Sequence, residues 1–255
     1  MSDNLNGKVV LLCGASGDIG QAAARMLLER GASVGLHYRT SADELQKIVD
    51  EYGGDRAVLL KGDLTRKGEV STIVSTLVER FGKLDAFITT IGTKLRIRPF
   101  LDTPEESVDI TIAIELRSVI DSVRAVLPEL INNGGGRIVI IGSDSGKVGT
   151  SGESVSAACR GGAIAFIKSI AREYARHKVL ANVVCPGPTD TGLWEDLVNN
   201  DEFGGKIGNA MIRAIPLRRL GKAEEVAGTA VFLVSEHASY ITGQAISVSG
   251  GLTMS

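Results

Sequence analysis

The sequence predicts a single doubly wound α/β domain, a parallel sheet of about seven strands with helices on both faces. Three observations carry that expectation. Short runs such as Val9-Val10-Leu11-Leu12 and Ile138-Val139-Ile140-Ile141 are apolar at every position, so both strand faces are buried. Segments of helical period separate these runs. The first run also passes through a glycine-rich turn directly into a helical pattern.

The elements follow in order. Lys8–Cys13 reads as the first strand. Ile19–Arg30 is amphipathic, with Ile19, Ala23, Met26 and Leu27 on one face, and it stops at Gly31. Ser33–Tyr38 is a second strand, Ala42–Glu51 a helix with a polar face, and Ala57–Leu60 a third strand. Glu69–Phe81 is helical and Leu84–Thr90 a fourth strand. A long helix is expected from Pro104 to about Ile131, because proline suits a first helical turn. The run Gly134-Gly135-Gly136 precedes a fifth strand over Arg137–Ile141. Glu153–Arg176 is a helix rich in small residues, and Val179–Cys185 a sixth strand. The stretch 188–216 has mixed signals and is expected to form a lid. Ala223–Ser235 is a helix and Gln244–Val248 the last strand. No internal boundary divides residues 1–255.

Composition narrows the function. The formal charge is −2 over 255 residues, which leaves no electrostatic footprint for nucleic acid or an anionic membrane. No apolar run is long enough to span a bilayer. The N-terminus lacks the pattern of a secretory signal, so a cytoplasmic protein is expected. Cys13, Cys159 and Cys185 are widely spaced in apolar stretches and read as buried free thiols. His37, His177 and His237 have no metal-ligand spacing and read as surface or packing residues.

The turn after the first strand runs Cys13-Gly14-Ala15-Ser16-Gly17-Asp18-Ile19-Gly20. Glycines here let backbone N–H groups and a helix N-terminus approach a diphosphate. With Asp63-Leu64-Thr65, Gly136-Arg137-Ile138-Val139 leading to Ser143, Pro186-Gly187 and the ending Ile241-Thr242-Gly243-Gln244…Gly250-Gly251, the whole chain resembles the short-chain dehydrogenase/reductase family. The resemblance implies a Rossmann fold and a dimer or tetramer. The interfaces would be built on the helices at Pro104–Ile131 and Glu153–Arg176 and on the C-terminal strand. It also implies a dinucleotide site at Gly14, Ser16, Asp18, Ile19, Gly20, Arg39, Asp63, Leu64, Gly92 and Thr191.

Active members of the family share a Ser, a proton-donating Tyr, a Lys four residues later that lowers the Tyr pKa, and an Asn on the preceding helix. Carried over singly, the Ser falls on Ser143, the Tyr on Ser156, the Lys on Arg160 and the Asn on Glu115. An aliphatic hydroxyl is a far weaker acid than a phenol of pKa ~10, and it is shorter. Arg160 keeps a cation but holds its proton. The tyrosines Tyr38, Tyr52, Tyr174 and Tyr240 lie outside the motif; Tyr174 is about 27 Å along the helix from Ser156. The enoyl-reductase variant of the family, with Tyr and Lys further apart, is excluded for the same reason.

The cofactor loop departs from the pattern too. Asp18 replaces a glycine and is expected to cap the first helix while repelling a diphosphate. Ile91 adds bulk where the family has alanine. Arg39 reads either as a solvated arginine or as a partner for a 2′-phosphate, which would select NADP(H) over NAD(H). Asp63 reads either as an Asx-turn residue or as an adenine contact. Ser143 is either a strand-end serine or a retained substrate contact. Glu115 and Arg160 are expected to form a structural salt bridge in preference to a new catalytic pair.

These departures lead to an expectation of a non-catalytic family subunit, either without cofactor or holding NADP(H) or NAD(H). It would pair with an active paralogue in a hetero-oligomer, a tetramer by resemblance, similar in kind to the inactive subunit of (hydroxybenzyl)succinyl-CoA dehydrogenase. An active NADP(H)-dependent ketoreductase with an atypical site, and a dinucleotide-sensing module, are the alternatives.

Overall fold

The computed structural model describes residues 4–94, 97–199 and 202–255. Seven parallel strands form the main sheet: β1 (Val9–Cys13), β2 (Ser33–Tyr38), β3 (Ala57–Lys61), β4 (Ala86–Thr89), β5 (Gly136–Ile141), β6 (Val179–Pro186) and β9 (Ala245–Val248). Their spatial order is β3-β2-β1-β4-β5-β6-β9, so the direction of winding reverses between β1 and β4. All five residues of β1 are buried, which is why its sequence carries no polar alternation. A second pairing, β7 (Thr189–Asp190) with β8 (Gly221–Lys222), ties the segment after β6 to the start of a later helix.

Helices cover both faces. One core layer packs α3 (Glu69–Phe81), α5 (Ser118–Asn132) and α7 (Ser154–Tyr174) against the sheet through Leu77, Val123, Ile167 and their neighbours. The other packs α1 (Asp18–Glu29), α2 (Asp43–Tyr52) and α10 (Ala223–Val234) through Leu27, Ile48 and Val231. The doubly wound single domain expected from the pattern is therefore present.

Three features depart from the expected elements. The long helix is not uniform. It runs as α4 (Glu105–Ile112), a π turn over Ala113–Arg117, and α5. A short helix, α6 (Ser145–Val148), follows β5. The expected lid contains two helices, α8 (Gly192–Asn199) and α9 (Glu202–Ala214), while positions 200–201 within it, like residues 1–3, lie outside the described residues. No described helix is long and apolar enough to cross a membrane. Cys13, Cys159 and Cys185 are all free and buried. Burial pushes the Cys185 thiol up to about 11, so it is no nucleophile at neutral pH.

Candidate active site

The reversal between β1 and β4 opens a crevice beyond the carboxyl ends of the strands, where α/β sheets place their ligands. The glycine turn sits at its head. Gly14 has a φ of +80°, and a Cβ there would lie 2.8 Å from Thr90 Oγ1. Thr90 fixes the turn by donating its hydroxyl to Gly14 O at 2.9 Å. At Gly20 an added Cβ would come within 2.3 Å of Gly14 O, so only glycine lets α1 approach β1 this closely. From below, the buried His37 accepts the Gly14 N–H on Nδ1 at 3.3 Å, and its Nε2 lies 3.1 Å from Gly62 O. His37 therefore belongs to the packing support of the loop. Ile91 leans against the same turn, its Cγ1 3.1 Å from where a Gly14 Cβ would stand.

Asp18 corrects the sequence expectation. It does not cap α1. Gly17 is the N-cap, with no side-chain capping bond, and Asp18 is the first helical residue. Its Oδ2 accepts the N–H of Gly192 at 2.9 Å, so the carboxylate ties the glycine turn to the start of α8. The chain gains more from this long-range acceptor because Gly192 opens a helix and its N–H has no intrahelical partner.

The remaining cofactor positions spread along the crevice. Ser16 is exposed and its carbonyl accepts Gln21 Nε2, Ile19 lines the cavity below, and Leu64 is core. Asp63 forms an Asx turn: Oδ1 accepts the Thr65 N–H at 3.0 Å and its hydroxyl at 2.6 Å. The Thr65 hydroxyl bond, more than the nearby Arg39 and Arg66 charges, holds the Asp63 carboxyl below its ordinary range. Arg39 is exposed. Thr191 accepts the Trp194 N–H at 3.3 Å and thereby caps α8.

Three of the four positions singled out in the sequence, Glu115, Ser156 and Arg160, converge on one buried network. The π turn delivers Glu115, only 3% exposed, into the interior. Glu115 Oε1 accepts the Thr93 N–H at 3.0 Å and the Thr93 hydroxyl at 2.6 Å, and lies 3.1 Å from Arg160 Nη2. Glu115 Oε2 accepts the Ser156 hydroxyl at 2.6 Å. Arg160 is itself 8% exposed. Its Nη1 donates to Ile141 O at 2.9 Å and its Nη2 to Ile91 O at 3.2 Å. The guanidinium lies beside Gly92, where a Cβ would meet Nη2 at 2.9 Å. Burial opposes the Glu115 charge, but Arg160, Ser156 and Thr93 outweigh it and hold the carboxyl below its ordinary value. Ser143 stands slightly apart, accepting the Ser145 hydroxyl at 2.9 Å.

Sequence reasoning missed Thr93, which follows Gly92 and supplies two of the donors to Glu115. It also gave no role to Glu153, whose half-buried carboxyl is pushed up by burial and by the Glu115 charge.

The cradle a dinucleotide diphosphate needs is present at Gly14 and Gly20, and no side chain caps the first turn of α1. The nicotinamide end fits less well. Nη1 and Nη2 of Arg160 already donate to main-chain carbonyls and to Glu115, so this cation is turned to the protein.

A parallel sheet of this order, a glycine turn at its switch point and a polar cluster at the ends of β4, β5 and α7 define a dinucleotide-type oxidoreductase fold. Sequence comparisons agree. The family model described as "Enoyl-(Acyl carrier protein) reductase" matches residues 14–253. The chain is 35% identical to "Oxidoreductase UcpA" of Salmonella typhimurium, over 98% of this chain and 96% of that protein. It is 35% identical to "3-oxoacyl-[acyl-carrier-protein] reductase FabG" of Vibrio cholerae (98% and 99% covered) and 33% identical to "Nodulation protein G" of Rhizobium meliloti (98% of each). The chain belongs to the short-chain dehydrogenase/reductase family of Rossmann-fold oxidoreductases.

Proposed function

We propose that this chain performs no proton transfer of its own and supports an active relative of the same fold in a hetero-oligomeric alcohol or 3-hydroxyacyl dehydrogenase. The observation that carries this reading is the closed Glu115–Arg160–Ser156 network. Reduction of a carbonyl needs an acid within about 3 Å of the oxygen that gains charge. The Ser156 hydroxyl is spent on Glu115. Glu115 is held ionised and so offers no proton. Ser143 accepts from Ser145, and its own proton is that of an aliphatic alcohol, a far weaker acid than a phenol. The scaffold is intact around a centre without a phenol, and family surfaces of this kind can engage a partner chain that has one.

A second reading is an NADP(H)-dependent ketoreductase in which Ser143, a water and Glu115 share the work. The comparisons taken alone favour it, since the relatives named above as reductases and oxidoreductases match nearly the whole chain. Arg39 supports the 2′-phosphorylated cofactor over NAD(H) in either reading.

One preparation separates them. The chain, purified free of any companion, is assayed for NADPH oxidation with a panel of ketones, and for NADP(H) binding by calorimetry. The first reading expects no turnover, and recovery from native extract with a second family member whose Tyr and Lys are present. Turnover that disappears in Ser143→Ala establishes the ketoreductase. Binding without turnover in a stable homotetramer establishes a dinucleotide-sensing module and removes the partner.

A further inference from the structure

A cavity of about 540 Å³ lies between the carboxyl ends of the strands and the helices α8 and α9. Its walls are largely apolar, with Ile19, Ile97, Trp194, Met211 and Leu252 among them. Among the described lining residues the charged ones are Glu115, Asp144, Glu153 and Arg160. They are not equally available. Glu115 and Arg160 neutralise each other, and Arg160 directs Nη1 and Nη2 to Ile141 O and Ile91 O.

The other two carboxylates are underused. Asp144 is 4% exposed. Its Oδ1 accepts the Ser247 hydroxyl at 2.8 Å, but its Oδ2 is buried without a hydrogen-bond partner among the described residues. Glu153 is the N-cap residue of α7 and makes no side-chain capping bond. Its carboxyl has no hydrogen bond or ion pair among the described residues. The nearest charges acting on it are Glu115, which repels, and Arg160, which attracts. A buried acceptor left empty, as Asp144 Oδ2 is, costs about 1–3 kcal/mol, and Glu153 is a half-buried carboxylate without a counter-ion among the described residues of a largely apolar cavity.

We propose that this cavity binds an organic ammonium ion, an apolar body carrying a protonated amine, with Glu153 as its counter-ion and the buried Asp144 carboxylate behind the wall adding to the negative field. Carboxylate and phosphate ligands meet like charge there, since the cavity holds its one cation back. Trp194 adds an aromatic wall suited to a cation. The inference stands independently of whether the chain turns over a substrate.

Hexylammonium, hexanol and hexanoate share one apolar body and differ only in charge, so they serve as probes. Binding to the purified full chain is measured by calorimetry at fixed ionic strength and pH 7.5. Hexylammonium is expected to bind about tenfold or more tighter than hexanol, with hexanoate weakest, as a charged hydrogen bond requires. Glu153→Gln should bring hexylammonium to within about threefold of hexanol, and Asp144→Asn should produce a smaller loss. Thermal unfolding of both variants checks that they are folded. The proposal is overturned if hexanoate binds as well as hexylammonium, if none of the probes binds, or if the ammonium preference survives in the folded Glu153→Gln variant.

Discussion

Arg160 is buried beside Glu115, and its charge is directed inward. A buried ion pair is a weak source of net stability, yet breaking it by removing one partner costs about 3–5 kcal/mol, because the survivor is left uncompensated. Arg160→Met should therefore lower the melting temperature by about 10 °C, and adding Glu115→Gln should restore part of that loss. Acid titration tests the same pair with a definite sign. The folded-state pKa of Glu115 lies below its ordinary 4.5, so its contribution is complete above 4.5 and disappears as pH falls through the lower folded value. Glu153 has the opposite sign. Its folded-state pKa lies above 4.5, so its contribution exists below 4.5 and is lost as pH rises through the folded value. Urea unfolding across a pH series should show a flatter acid limb in Glu115→Gln and a gain of stability at neutral pH in Glu153→Gln. Ser156, Arg160 and Glu115 were singled out in the sequence by the motif spacing around them. That they would close on one another was only half legible, since Thr93 and the two main-chain carbonyls of the network leave no side-chain signature.

At the scale of elements, strands and long helices were readable because burial on both faces and the 3.6-residue period are properties of the local chain. The π turn was not. One extra residue within a helical run leaves the apolar spacing on either side almost unchanged, yet it is what brings Glu115 inward. The four residues of α6 are too few to show a period. Asp18 was misjudged for a related reason: helix-start carboxylates cap locally as a rule, and the partner it chose, Gly192, lies 174 positions away. The bond makes α8 dependent on the glycine turn. Asp18→Ala should speed hydrogen exchange at the Gly192 amide about threefold to tenfold, consistent with losing one exposed hydrogen bond, while exchange in the centre of α1 stays unchanged.

For the molecule as a whole, the doubly wound parallel sheet of about seven strands followed from the alternation of patterns and the right-handedness of parallel crossovers, while the strand order came from the structure. What sequence could not supply was how the far edge is secured. Lys147 donates from Nζ to Ala245 O at 3.1 Å, to Ser247 Oγ at 2.9 Å and to Ser255 O, fastening α6, β9 and the C-terminal residue together. Lys147→Met should lower the melting temperature by several degrees, measured by calorimetry, since charged hydrogen bonds are worth about 1.5–3 kcal/mol and each kcal/mol is about 2–4 °C in a domain of this size. The same margin bears on what the interior tolerates. A domain holds only about 5–15 kcal/mol against unfolding, and neutralising either Glu115 or Arg160 alone strands the other's charge in the interior. Positions 115 and 160 can therefore lose their charges only together, so the acid–guanidinium lock limits the order in which this interior can change.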